Sequence, residues 1–205
     1  MNARQIISKA AVIFSVALLP IGCGSSDDLV SDPSAQAVSA LDVCPNSPPK
    51  VEVIPLGSNR YFMIQSIELA KPTSVVWPAV RDFEQFIQLL VPGVDLHFTW
   101  VQGNASIVPS TYELDVGGGL ILREQVFFRS DLLHLIKYRT LNTPILGLEK
   151  YTGAVSLTPG TRSRTTLIYV RDITAEPGTS IEDLTQELQA QLVNLQAHFA
   201  SGCSP

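Results

Sequence analysis

The chain has 205 residues, of which 45% are hydrophobic and 16% are charged, and its formal net charge is −5. After a leader and a linker, this length leaves one domain with enough residues for a core that needs no stabilising metal or disulfide. The acidic balance and the lack of any lysine and arginine cluster in the sequence argue against nucleic acid and anionic lipid headgroups as partners.

The N-terminal segment has the pattern of an export signal. Arg4 and Lys9 supply positive charge, and residues 10–21 form an apolar run that is too short for a comfortable transmembrane helix. We therefore predict a signal peptide at residues 1–22.

The apolar run ends next to Cys23, as in a bacterial lipobox, so we predict that Cys23 is lipidated and anchors the protein to a membrane. Pro20 and Ile21 depart from the usual lipobox, and the alternative is an ordinary signal peptide that is cleaved further along. The predicted location is the cell envelope. Gly24 rather than aspartate after the cysteine favours the periplasmic face of the outer membrane in a Gram-negative cell.

Residues 23–50 are rich in Ser, Asp, Ala and Pro and are predicted to be a flexible linker. The folded domain is predicted at residues 51–205. If Cys23 carries lipid, Cys44 and Cys203 remain in an oxidising compartment, where a disulfide between them is favoured. Two free thiols, or pairing between chains, are the alternatives.

Seven β-rich segments follow, with turn residues between them and two short helical segments after the first. Thr73 or Ser74 is predicted to cap the first of these helices, and Asp82 is predicted to begin the second. Because no helix separates the later strands, they are predicted to form an antiparallel meander. The predicted strands cover residues 61–69, 96–101, 110–116, 120–128, 133–141, 148–157 and 164–173.

One long amphipathic helix is predicted at the end of the chain. Ser180 and Asp183 fit a capping box at its start. Apolar residues then recur at helical spacing and form one stripe that can pack against the sheet. These residues are Ile181, Leu184, Leu188, Leu192, Leu195 and Phe199.

The order of these elements, and several short motifs, resemble the polyketide cyclase/dehydrase branch of the START-like, or SRPBCC, superfamily. The motifs are Val76-Trp77, Arg81-Asp82-Phe83, Pro92-Gly93-Val94 and Leu122-Arg123-Glu124, followed by Tyr138 and Tyr151. The resemblance implies an α+β helix-grip fold, in which a curved antiparallel sheet wraps the C-terminal helix and leaves an apolar cavity. The hairpin at residues 117–119 lacks the Ser-Gly-Leu-Pro gate of the plant hormone receptors, and Tyr169 stands where this branch often has tryptophan.

Side chains alternate across a strand, so the apolar set on each strand marks the face toward the helix. On the strand at 120–128 this face includes Glu124 and ends at Phe128. Together the strands predict a cavity with one carboxylate, one guanidinium and three phenols in an apolar shell, a usual composition for a ligand pocket. The predicted ligand-binding residues are Leu122, Glu124, Tyr138, Tyr151, Tyr169 and Arg171.

Glu124 has two further interpretations. It can pair with Arg171 or a tyrosine inside the fold and contact no ligand. Alternatively, it can be the catalytic general base of an enzyme, with tyrosines that polarise a carbonyl. The sequence shows no second base and no nucleophile beside it, which weighs against catalysis.

His97, His134 and His198 lie far apart and lack the spacing of metal ligands, so neither a metal site nor a cofactor is predicted. The sequence therefore predicts a membrane-tethered protein that binds a hydrophobic small molecule or lipid. An aromatase/cyclase-type enzyme acting on a polyketide-like substrate is the alternative. A third possibility is a scaffold that binds a cell-envelope partner through its surface.

Overall fold

The computed structural model describes residues 47–94, 96–161 and 163–200, which form one antiparallel sheet and three helices. The strands are β1 (Lys50–Gly57), β2 (Arg60–Leu69), β3 (His97–Gln102), β4 (Ser110–Asp115), β5 (Ile121–Ser130), β6 (Leu135–Thr140), β7 (Leu148–Pro159) and β8 (Thr165–Ala175). The helices are α1 (Thr73–Arg81), α2 (Phe83–Leu90) and α3 (Ile181–Ala200). The order in the sheet is β1-β2-β8-β7-β6-β5-β4-β3, with antiparallel pairing throughout, as predicted for the meander.

Strand β1 is an addition to the predicted strands. It pairs with β2 through a two-residue turn at Ser58 and Asn59, which both have positive φ, of 51° and 57°. Two positive φ values are the mark of the hairpin turn whose twist matches that of the flanking strands. Asparagine tolerates this conformation but serine rarely adopts it, so the sequence signal for this hairpin is weak.

The two short helices begin in different ways. No side chain caps α1, which follows Pro72, so the predicted cap by threonine or serine is wrong. The hydroxyl of Thr73 instead shares a hydrogen bond of 3.1 Å with the hydroxyl of Thr165 in the sheet. Asp82 caps α2 as expected, because its carboxylate accepts a 3.2 Å hydrogen bond from the backbone N–H of Gln85.

Helix α2 places two phenylalanine rings over the inner face of the sheet. Phe83 lies 4.8 Å from Tyr138 and 5.7 Å from Tyr112, measured between ring centroids. Phe86 lies 6.0 Å from Tyr169. All of these rings are buried, so α2 forms one wall above the middle of the sheet.

Helix α3 covers the same face with the predicted apolar stripe. Leu188, Leu192, Leu195 and Phe199 are buried, while the stripe's first two members are only partly buried. The side chain of Ser180 accepts a 3.2 Å hydrogen bond from the backbone N–H of Asp183, which confirms that half of the predicted capping box.

Polar side chains of α3 attach it on both sides. Asn194 donates to the carbonyl of Leu90 at 2.9 Å, and Gln196 donates to the carbonyl of Glu68 at 3.1 Å. The helix is thus hydrogen-bonded to both α2 and β2.

One predicted orientation is wrong. Phe128 was expected on the inner face of β5, but its side chain is 38% exposed. The pairing of β5 with β6 shifts between Val126 and Phe128, which is a β-bulge. A bulge inserts one extra residue and reverses the alternation beyond it, so Phe128 turns outward, where Lys137 lies 5.5 Å from its ring.

Candidate functional site

The predicted site residues lie on the inner face of the sheet, under α2 and α3. Glu124, Tyr138, Tyr169 and Arg171 are buried, with exposed fractions of 4%, 3%, 1% and 0%. Leu122 and Tyr151 are partly buried and pack against the main apolar cluster. Alternation along each strand therefore assigned all six side chains to the correct face.

Glu124 lies in a row of three directly paired residues. Tyr112 is opposite it on β4 and Thr140 is opposite it on β6. The Tyr112 hydroxyl donates a hydrogen bond to one carboxylate oxygen, and the Thr140 hydroxyl donates to the other at 3.0 Å. Of the interpretations given above, this geometry is that of an internal glutamate–tyrosine pair, with a tyrosine that was not predicted.

The protonation of Glu124 is set mainly by its burial. Burial raises the pKa of Glu124 from 4.5 to about 7, although the hydrogen bonds from Tyr112 and Thr140 lower it. Near neutral pH this carboxyl group can therefore be either protonated or ionised. Burial also raises the pKa of Tyr112 well above 10, and the neighbouring glutamate raises it further.

Three more phenols form a second cluster beside Arg171. The hydroxyl of Tyr138 hydrogen-bonds with that of Tyr151 at 2.9 Å and with that of Tyr169. Arg171 donates from Nε to the Tyr151 hydroxyl at 2.8 Å, and its guanidinium carbon lies 3.5 Å from the centroid of the Tyr169 ring. The predicted guanidinium and phenols thus form one connected group.

The pKa values of the groups in this second cluster are shifted by burial and by their neighbours. Burial raises the pKa of Tyr138 and that of Tyr169 well above 10, so both phenols are neutral. Burial lowers the pKa of Arg171, but Tyr151, Tyr169 and Tyr138 raise it more, and the net direction is upward. Arg171 is therefore a permanently charged group in the interior.

A glycine makes room for the cluster. Gly153 on β7 pairs with Tyr138 on β6 and with Arg171 on β8. A Cβ atom at Gly153 would lie 2.4 Å from the Tyr138 ring. Because no side chain stands there, the ring can lie across β7 and bring its hydroxyl to Tyr151 and Tyr169.

Several buried polar atoms on the inner face have no hydrogen-bond partner. In the described part of the chain these are both terminal nitrogens of Arg171, both amide atoms of Gln65 and the hydroxyl oxygen of Ser110. Folded proteins satisfy nearly all such atoms, so each one calls for an explanation. All three residues are fully buried and lie in strands that line this face.

Tyr112, Gln65 and Ser110 were absent from the predicted site. Alternation within β4 and β2 places them on the inner face, so that signal was available. Their significance depends on which residues they lie beside, and this is set by the pairing of distant strands.

Other features lie apart from these groups. One surface hollow is lined by residues of β3, β4 and β5, including Thr111 and Arg123, and another lies between α1 and the loop after β3. In residues 47–94, 96–161 and 163–200, no three His, Cys, Asp or Glu side chains are grouped to hold a metal ion. None of the helices in these ranges is long and apolar enough to cross a membrane.

No protein-family model matches the sequence, and no curated protein matches it. Solved structures do match. A protein from Nitrosospira multiformis is 19% identical with a TM-score of 0.57, covering 68% of this chain and 97% of that chain. A protein from Bacillus thuringiensis is 17% identical with a TM-score of 0.55, covering 68% and 99%. Major latex-like protein 151 from Panax ginseng is 9% identical with a TM-score of 0.54, covering 69% and 98%.

The chain has the helix-grip fold. Its curved antiparallel sheet, the pair of short helices after β2 and the long C-terminal helix are the predicted arrangement. At these identities the similarity establishes the fold alone.

Proposed function

We propose that this protein binds an apolar small molecule or lipid between the inner face of its sheet and α3. The observation that carries the proposal is the set of unpartnered polar atoms of Gln65, Ser110 and Arg171 in an otherwise apolar interior. A ligand with a few polar groups would satisfy them, whereas a closed core would leave them at a cost in free energy.

Each part of the site has a role in this proposal. Apolar burial against the sheet and α3 supplies most of the affinity, because that term grows with the area removed from water. Tyr138, Tyr151, Tyr169 and Arg171 orient the ligand, while the carboxylate of Glu124 is held by Tyr112 and Thr140. Since the tyrosine hydroxyls contact one another, the ligand has to separate them as it enters.

We also propose that the protein acts from the cell envelope, with Cys23 lipidated and the residues between it and the folded domain as its tether. The support for this is the pattern of residues 1–22, which lies outside the described residues together with Cys23. The proposed location of the protein is the periplasmic face of the outer membrane in a Gram-negative cell.

Native mass spectrometry tests the binding proposal. The chain carrying Cys23→Ser would be purified from the periplasm of its host and measured before and after denaturation. We expect an added small mass that disappears on denaturation. A protein that carries no added mass, and gains none when lipid extract of the host is supplied, would contradict the proposal.

A second candidate is an aromatase/cyclase-type enzyme that acts on a polyketide-like substrate. The observation that favours it is the buried Glu124 carboxyl, whose pKa of about 7 suits a general base at neutral pH. Glu124→Gln keeps the hydrogen-bonding shape but cannot accept the proton. Loss of turnover with unchanged affinity would support the enzyme, and unchanged turnover would exclude Glu124 as its base.

A further inference from the structure

The buried guanidinium group of Arg171 uses only one of its three nitrogens in a hydrogen bond with the described residues. Its Nε donates to Tyr151, while Nη1 and Nη2 are buried and have no partner within the described residues. These two nitrogens carry four N–H groups in a planar fork. A buried charge with no counter-charge destabilises a folded protein. An anionic group that binds to this fork would therefore be strongly stabilised.

Glu124 is not that partner. Its two carboxylate oxygens accept hydrogen bonds from Tyr112 and Thr140. The side chains that contact the guanidinium of Arg171 are the phenols of Tyr151 and Tyr169. Among the described residues, the side chains in contact with the guanidinium therefore supply no counter-charge.

Gln65 adds donors at the same place. It pairs with Tyr169 across β2 and β8, and Arg171 pairs with Met63, so Gln65 and Arg171 are diagonal neighbours on one face. Gln65 is also fully buried, and neither atom of its amide has a partner. Two adjacent residues thus direct unused N–H groups into the interior.

Apolar surface flanks this pair on both sides. On β2, Gln65 stands between Met63, which belongs to one apolar cluster, and Ile67, which belongs to the other. On β8, Arg171 precedes Ile173 of the first cluster by two positions. Helix α3 contributes Leu188 to one cluster and Leu192 to the other.

We propose that Arg171 and Gln65 form an anion subsite, and that the ligand is an apolar molecule with a single carboxylate. The planar carboxylate matches the guanidinium fork with two parallel hydrogen bonds, and the amide of Gln65 donates a third. One negative charge balances the one buried positive charge, whereas a phosphate monoester would bring nearly two. This inference rests on the proposed binding function and gives its ligand class.

The test compares decanoic acid, 1-decanol and decyl phosphate by calorimetry at about pH 7.5, where the acid is ionised. The protein is the full chain with Cys23→Ser, with and without Arg171→Met. We expect the acid to bind the parent protein about 10- to 100-fold more tightly than the alcohol, the range for hydrogen bonds to a charged group. Arg171→Met should abolish this preference and keep alcohol binding.

The matched control is Arg60→Met, which removes an exposed arginine that bonds outward to Asp172 at 2.9 Å. It should retain the preference for the acid. Methionine in place of a buried unpaired arginine should preserve the fold, and a circular dichroism melt checks this. The preference of the parent protein for acid over alcohol does not depend on any variant.

The other outcomes separate the two proposals. Equal binding of acid and alcohol would overturn the anion subsite and leave the binding function standing. Tighter binding of decyl phosphate that depends on Arg171 would overturn the carboxylate in favour of a phosphate. If none of the three ligands binds, the proposed function fails and the subsite fails with it.

Discussion

At the scale of single residues, Glu124 links protonation to stability. Its pKa is about 7 in the folded protein against 4.5 as the ordinary value, so the folded state holds its proton to higher pH. Below pH 4.5 both states are protonated and there is no effect. As the pH rises from there to about 7, the unfolded state ionises first, and the folded protein loses about 3 kcal/mol of stability.

Glu124→Gln should remove this loss because glutamine does not titrate. We expect the free energy of unfolding of the variant, relative to that of the parent protein, to rise by about 3 kcal/mol between about pH 4 and pH 8. Urea unfolding at a series of pH values measures this difference. The control is Glu52→Gln at an exposed position of β1. If the two variants give the same pH profile, burial does not govern Glu124.

Gly153 is the second residue with a decisive role. Gly153→Ala would put a Cβ atom 2.4 Å from the Tyr138 ring, so the ring has to move away from Tyr151 and Tyr169. We expect a loss of about 1–3 kcal/mol in the free energy of unfolding. In a background of Tyr138→Ala, the same change should have little effect, and additive losses would disprove the steric argument.

At the scale of elements, α3 depends on its first turn. Ser180→Ala removes the acceptor for the Asp183 backbone N–H and should lower the free energy of unfolding by about 1 kcal/mol. Ser180→Asp keeps an acceptor at this position and should retain the stability in a thermal melt. Equal melting temperatures of the Ser180→Ala variant and the parent protein would show that the cap does not stabilise the helix.

At the scale of the whole molecule, the two ends of the domain lie together. The carbonyl of Ser47, three residues after Cys44, accepts a 3.2 Å hydrogen bond from Gln196, seven residues before Cys203. Both cysteines lie outside the described residues, and the disulfide between them stays a prediction. Peptide mapping without reductant should find Cys44 linked to Cys203.

The matched variant is Cys203→Ser, which should lower stability by about 5 kcal/mol in the chain-entropy account, since the closed loop is long. Reduction of the parent protein should have the same effect. Two reactive thiols in the unreduced protein would refute the bridge.

The sequence by itself predicted seven of the eight strands of the described sheet, and the face that the predicted site residues take. Alternation with period two is local, and it placed Glu124, Tyr138, Tyr151, Tyr169 and Arg171 correctly. Apolar spacing likewise predicted α3, because helical periodicity depends only on neighbouring residues. Strand β1 was missed because its turn uses an unusual serine conformation.

Only the tertiary structure decided which residues from distant strands come into contact. Glu124 pairs with Tyr112, and Gln65 lies beside Arg171, because strands far apart in sequence take one register. The bulge that turns Phe128 outward arises from the same pairing. Register follows from packing of the entire inner face, so no local pattern could reveal that the Arg171 fork lacks a partner.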